Sequence, residues 1–168
     1  RRARRGPARV VAARRPAGDP AVQPDQALWY RREFRVPDAW ASRRVLLHFG
    51  AVDWETTVWV NGKELGTHRG GYDPFSFDVT EALGGGGPQQ IVVSVWDPTD
   101  AGTQPRGKQV AAPKGIWYTS VTGIWQTVWM EEVPKTHVTG LKITPKVDGS
   151  VRIVTAFSGP GESTPVKV

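Results

Sequence analysis

The sequence predicts an all-β protein, an antiparallel sandwich or jelly roll. Two observations carry that reading. Apolar and aromatic residues recur in short strand-like runs, at 28–36, 45–49, 56–60, 75–79, 91–96, 124–132, 137–143 and 151–156. Turn clusters separate them: Pro37-Asp38, Asn61-Gly62, the glycines and proline of 84–88, Asp97-Pro98 and Asp148-Gly149. Many short runs at this spacing, with no sustained helical period, suit packed antiparallel sheets.

In chain order, residues 1–24 come first and read as a disordered tail. Seven of the 22 basic side chains are Arg within residues 1–15, among Ala, Pro and Gly that bury too little apolar surface to offset chain entropy. The net charge of +6 therefore belongs to the tail, and the remainder holds 15 basic against 16 acidic side chains. The body offers no basic stripe of the kind that reads nucleic acid, and the tail's charge carries no specificity of its own. A hydrophobic content of 39% with eight Trp argues for a packed β domain rather than a disordered chain.

The run at 45–49 puts Val45, Leu47 and Phe49 on one face. In the run at 56–60, Thr56, Val58 and Val60 alternate with Thr57 and Trp59. Asn61-Gly62 follows at once, and both residues tolerate positive φ, so a two-residue type I′ hairpin is expected there. Val93 and Val95 should point inward from the run at 91–96, and Trp59, Trp96, Trp125 and Trp129 are expected in the core. Residues 67–74 read as a loop that gathers His68, Arg69, Tyr72 and Asp73 around two glycines. Residues 80–83 can make one helical turn before 84–87 break it. The polar segment 99–115 is long for a structureless loop in a compact domain, which points to binding or mobility. Arg106 and Lys108 within it read as solvated charges. Val133-Pro134 marks a domain boundary.

The chain has no Cys, so disulfides and thiolate metal sites are excluded. His48, His68 and His137 lack a ligand spacing, so neither a metal nor another cofactor is expected. Val10-Val11-Ala12-Ala13 is too short for a signal-peptide core, and no apolar run reaches transmembrane length, so membrane partners are not expected and the compartment stays open. Acid–base chemistry by a carboxyl pair needs both groups to converge on one bond. Glu131-Glu132 is the adjacent Glu pair, and consecutive strand residues point to opposite faces.

Residues 45–78, with Trp29-Tyr30-Arg31-Arg32-Glu33-Phe34 before them and Gly123-Ile124-Trp125-Gln126-Thr127-Val128-Trp129 after them, resemble the N-terminal sugar-binding domain of glycoside hydrolase family 2. The resemblance implies a galactose-binding-like jelly roll over 25–134, with 135–168 as the start of an immunoglobulin-like sandwich. It also implies that both catalytic Glu residues lie in a barrel domain further along, the acid/base Glu following an Asn. Here the sole Asn is Asn61, followed by Gly62. The chain is thus expected to be an inactive fragment of a retaining β-glycosidase, with no catalytic residue of its own. Its expected partners are a carbohydrate substrate and the downstream domains of the same polypeptide.

Three positions carry the expected substrate contact. Asp53 stands where galactosidase-type members carry an Asn that reaches the sugar, and a carboxylate there can accept hydrogen bonds from vicinal hydroxyls. Its alternative role is a turn-capping Asp. Trp54 beside it can stack on a sugar or pack in the core. Trp117 replaces an Asp that galactosidase- and glucuronidase-type members place six residues before the Gly matching Gly123. That change implies a pyranoside held by CH–π stacking, or a shifted loop. His68, Arg69, Tyr72 and Asp73 match a run typical of the family, with support of domain packing as their expected role. Two other classes stay open: a stand-alone carbohydrate-binding module with exposed Trp platforms, and a purely structural interaction domain.

Overall fold

The computed structural model describes residues 8–10 and 22–159. Among them the strands run in the order β1 (Ala8–Val10), β2 (Ala27–Phe34), β3 (Arg44–Phe49), β4 (Val52–Asp53), β5 (Glu55–Val60), β6 (Lys63–Arg69) and β7 (Phe75–Asp78). They continue with β8 (Gln89–Trp96), β9 (Gln109–Val110), β10 (Tyr118–Thr119), β11 (Gly123–Ile124), β12 (Val128–Val133), β13 (His137–Pro145) and β14 (Val151–Ser158). Two four-stranded sheets, β1-β12-β3-β7 and β2-β8-β5-β6, pack face to face as the expected sandwich. The only helical pieces among the described residues are two 3-10 turns, Asp38–Trp40 and Thr80–Ala82, the second at the predicted helical turn.

Period-two alternation builds the core. Val45, Leu47 and Phe49 from β3, with Val128 and Met130 from β12, meet Val58 and Val60 from β5 and Ile91, Val93 and Val95 from β8. All ten are buried, and Phe49, Val58, Val60 and Val95 are wholly so. Removing a side chain of this kind costs about 2–5 kcal/mol, because a packed sandwich collapses only partly around the hole.

The same alternation turns the tryptophans outward, against expectation. Trp96 and Trp125 are exposed and Trp59 and Trp129 half-buried, because Val58, Val60, Val95, Val128 and Met130 occupy the inward positions next to them. Trp59 stacks on Trp29 and Trp129 on His48, both pairs on outer surfaces.

Three other differences have local causes. The run read as one strand at 124–132 is two, β11 on β4 and β12 on β3. The chain changes partner across 125–127, where the amides of Trp125 and Gln126 both donate to the Ala51 carbonyl. His68 and Arg69, read as loop, belong to strand β6, paired with Thr56 and Glu55. β6 is an edge strand rich in charge, which hides it from an apolar pattern. Within the arm expected to be disordered, Ala8–Val10 pairs antiparallel with Val128–Met130 and fills the free edge of β12. Residues 22–24 are also described, and the rest of that arm lies outside the described residues.

The Asn61-Gly62 turn forms as expected, with φ of 51° and 80°. Asn61 does more than turn the chain. Its Nδ2 donates to the Ala82 carbonyl at 2.8 Å and to Gln89 Oε1 at 2.6 Å, while its Oδ1 accepts from the Gln90 amide at 2.9 Å. It thereby ties the β5–β6 hairpin to the start of β8 and helps satisfy the buried Gln89. Asn61→Gly keeps the backbone conformation and deletes these bonds. Urea denaturation of that variant should show a loss of about 1–3 kcal/mol, since a buried partner is left short of a donor.

Candidate functional site

Asp53 lies on β4, which pairs antiparallel with β11 in a short ladder. Gly123 faces Asp53 in this short ladder. A tight fit holds it: the Tyr30 hydroxyl accepts the Ile124 amide at 3.1 Å, and any side chain at Gly123 would run into the Tyr30 and Leu28 side chains. Gly123 also has φ of +102°, so glycine is required there on both counts. This docking sets the height of β4 and so the place of the Asp53 carboxyl.

Asp53 is 5% exposed. One side of its carboxyl lies against Gly71, where an added Cβ would sit 2.5 Å from Oδ1. On the other side Gln109 Nε2 donates to Oδ2 at 3.3 Å. Gln109 comes from the long polar segment, which is not structureless: its β9 runs parallel to β10, with Gln109 facing Tyr118. The Gln109 side-chain oxygen also accepts the Val121 amide, so one amide joins Asp53 to both arms of the segment. Asp97 lies close by and is 4% exposed, accepting the Thr99 amide and the Thr122 hydroxyl, each at 2.8 Å.

Burial above all, with the Asp97 charge second, pushes the Asp53 carboxyl up from 3.8 to about 6, even with the Gln109 donor offsetting a part. A protonated Asp53 can donate one hydrogen bond, whereas the ionised form only accepts.

Around this buried carboxyl the surface is aromatic. Trp117, Tyr118, Tyr72 and Trp125 are all exposed. Trp125 Nε1 donates to the Gly71 carbonyl at 2.8 Å, and Tyr72 meets Trp125 edge-on at 6.2 Å. Trp117 directly precedes Tyr118, so it shares the segment that Gln109 ties to Asp53. Trp54 points elsewhere, into a groove that it shares with Trp96 and the 98–105 turn.

The remaining predicted residues build the frame. Arg69 pairs with Glu55 across the strands at 2.6 Å. His68 stacks on Phe75 with ring centroids 4.1 Å apart. Asp73 is exposed and approaches Gly70. Glu131 and Glu132 engage different partners, His48 at 3.1 Å and Arg43 at 3.1 Å, as their opposite faces demand. Among the described residues no group of three or more His, Asp or Glu could hold a metal ion.

Residues 12–134 match the family model described as glycosyl hydrolases family 2, sugar binding domain. The chain belongs to this family. Its sequence is 35% identical over 120 residues to a putative beta-glucuronidase of Formosa agariphila, covering 71% of this chain and 14% of that protein. It is 32% identical over 112 residues to a beta-galactosidase of Thermoanaerobacter pseudethanolicus, covering 66% and 14%. Among solved structures, a beta-glycosidase from Bacteroides vulgatus superposes with a TM-score of 0.63 at 26% identity, over 82% of this chain and 17% of the other. The chain thus spans a small part of the length of the family 2 proteins it matches.

Asp97, Gln109, Thr122 and Gly71 were not singled out from the sequence as site residues. Gln109 stood in a segment marked as too long to be idle, and that was the available signal. Gly71 and Asp97 carry local turn signals, but nothing local marks them as site residues, because their role there is contact with a residue from a distant strand.

The shifted carboxyl has a measurable consequence. Its folded-state value lies above the unfolded 3.8, so the folded chain binds more protons between pH 3.8 and about 6, and the residue's contribution to stability falls as pH rises through that window. Asp53→Asn removes the charge and keeps an acceptor for Gln109. At about pH 7.5 it should stabilise the chain by about 1–2 kcal/mol, and the gain should vanish below about pH 4 in urea titrations across that range.

Proposed function

We propose that this chain is the non-catalytic accessory portion of a retaining β-glycosidase of family 2. Its jelly roll braces the catalytic domain and presents the Asp53–Trp117 rim to the substrate. The observation that carries the non-catalytic reading is the state of the two rim carboxylates. Asp53 and Asp97 are both buried and held by protein donors, so no glycosidic bond fits between them, as cleavage by a carboxyl pair requires. The cleaving carboxyls then come from outside these residues. In the same reading β13 and β14, an antiparallel hairpin with Leu141, Ile143, Ile153 and Phe157 exposed, open the immunoglobulin-like domain. The substrate is a terminal β-linked sugar, met at the rim by aromatic stacking rather than by a carboxylate at position 117.

The chain alone should leave aryl β-galactosides, β-glucuronides, β-mannosides and β-fucosides uncleaved at rates above buffer. Turnover that survives purification would refute the non-catalytic reading.

Within the longer polypeptide, Trp117→Ala should lower kcat/KM five- to tenfold, the equivalent of about 1 kcal/mol of lost stacking. Thermal stability should barely change. A lower Tm with kcat/KM intact per folded molecule would instead make Trp117 a packing residue of its own loop.

A further inference from the structure

Half of the eight tryptophans lie on a surface that the rim does not use. On the outer face of the β2-β8-β5-β6 sheet, Trp29 stands opposite Ser94, and Ser94 opposite Thr57. One step along, Arg31 faces Val92 and Val92 faces Trp59. The Trp29 and Trp59 rings meet above β8, with centroids 5.7 Å apart and planes 24° from parallel. Trp29 is 62% exposed, so this stack is open to solvent rather than a covered core contact. Two residues beyond Ser94 on the same face comes Trp96, also exposed, its Nε1 held by the Pro24 carbonyl at 2.7 Å.

Past Trp96 the face opens into a groove of about 630 Å³. Trp54 and Trp96 line it with Pro98, Thr103 and Gln104, and its volume lies in the range of small-molecule sites. Trp54 follows Asp53 in the chain. Four indoles therefore run from the middle of the sheet face to the rim that carries the candidate site. Scattered exposed aromatics are ordinary, but a stacked pair and a second pair lining a groove further along the same face point to a binding surface.

The chemistry beside the indoles selects the occupant. The Thr57 and Thr67 hydroxyls pair at 2.9 Å, and Ser94 adds a third hydroxyl beside the stack. The face holds no cationic excess: Arg69 is paired with Glu55, and Arg31 shares the face with Glu33 and with Glu64, which faces Trp59. Such a face gives no net pull on an anionic polymer. It combines flat aromatic planes with short neutral hydrogen-bonding groups. A pyranose with equatorial substituents has the matching form, with axial C–H groups on its flat face and hydroxyls on its edge. A β-1,4-linked chain of such sugars is an extended ribbon, so successive rings can meet successive indoles on a sheet. A helical α-linked glucan curves away from it.

We propose that this face is a binding track for an extended, neutral β-linked oligosaccharide, lying over Trp59, Trp29 and Trp96 and passing Trp54 toward the Asp53 rim. The proposal rests on the reading that the rim meets a sugar, and it specifies the substrate as a chain rather than a lone terminal unit. Continuity of the indoles with the rim is the reason for choosing a glycan over a protein partner.

Isothermal titration of the chain with cellohexaose and xylohexaose, with tryptophan fluorescence as a second readout, tests it. At least one hexasaccharide should bind with a Kd below about 1 mM, and maltohexaose, glucose and xylose at least about tenfold more weakly. Trp29→Ala and Trp59→Ala should each weaken binding about fivefold or more, with Trp29→Phe retaining part of it and circular dichroism reporting the fold. If the alanine variants unfold, Trp29→Phe and Trp96→Phe still decide, through a loss of about two- to threefold in folded protein. Three results would overturn the track. One is no hexasaccharide binding at about 5 mM by the folded chain. Another is binding lost with Trp117→Ala but indifferent to Trp29 and Trp59, which would leave the rim reading standing. The last is concentration-dependent self-association abolished by Trp29→Ala, which would make the face a contact between two copies. Failure of the rim reading has its own signature, kcat/KM left intact by Trp117→Ala in the longer polypeptide, a measurement the Trp29 and Trp59 variants do not enter.

Discussion

The contact between the two sheets is what the rest of this structure depends on. Phe49, Leu47 and Val45 on one side and Val58, Val60, Val93 and Val95 on the other leave no room for a one-residue slip in either sheet. A slip would exchange every one of them for its outward neighbour, placing Thr57, Trp59 or His48 in the core. With the register so held, every outward residue is assigned as well. The exposed Trp29–Trp59 stack is thus a by-product of the valines that flank Trp59.

The rim is held by different forces. Short two-stranded ladders carry it, β4 with β11 and β9 with β10, and its cohesion comes from close approach and a few polar links. Gly123 lets β11 settle on Tyr30, Gly71 lets the chain lie against the Asp53 carboxyl, and Gln109 ties that carboxyl to the long segment. The arrangement keeps a carboxyl in a setting that opposes its charge, with Asp97 nearby. Natural sandwiches tolerate such a costly group where loops meet, since the core beneath supplies the stability that the rim does not.

Local sequence signals understate pairing and alternation. β6 was missed because Lys63, Glu64, Thr67 and Arg69 carry no apolar alternation, and an edge strand needs none. Residue type alone places the tryptophans inward, whereas the alternation around them points outward, and period two outweighs hydrophobicity. The break at 125–127 left no mark because strand-like residues continue through it while the hydrogen-bonding partner changes.

By itself the sequence determined the strand-rich class, the turn at Asn61-Gly62, the inward set of valines, and, through the spacing of its motifs, the family. Each of these is a property of neighbours in the chain: alternation, turn chemistry, a local string of residues. The tertiary structure decided that Asp53 is buried between Gly71 and Gln109, that this burial, with Asp97 nearby, raises its pKa, that Trp54 opens on a groove with Trp96, and that Trp29 and Trp59 stack across an intervening strand. Those are relations between residues dozens of positions apart, created when two sheets close on one core. No local pattern encodes them, because they are enforced by the burial of the core and, at the rim, by close approach and polar links between distant residues, not by any preference of the residues themselves.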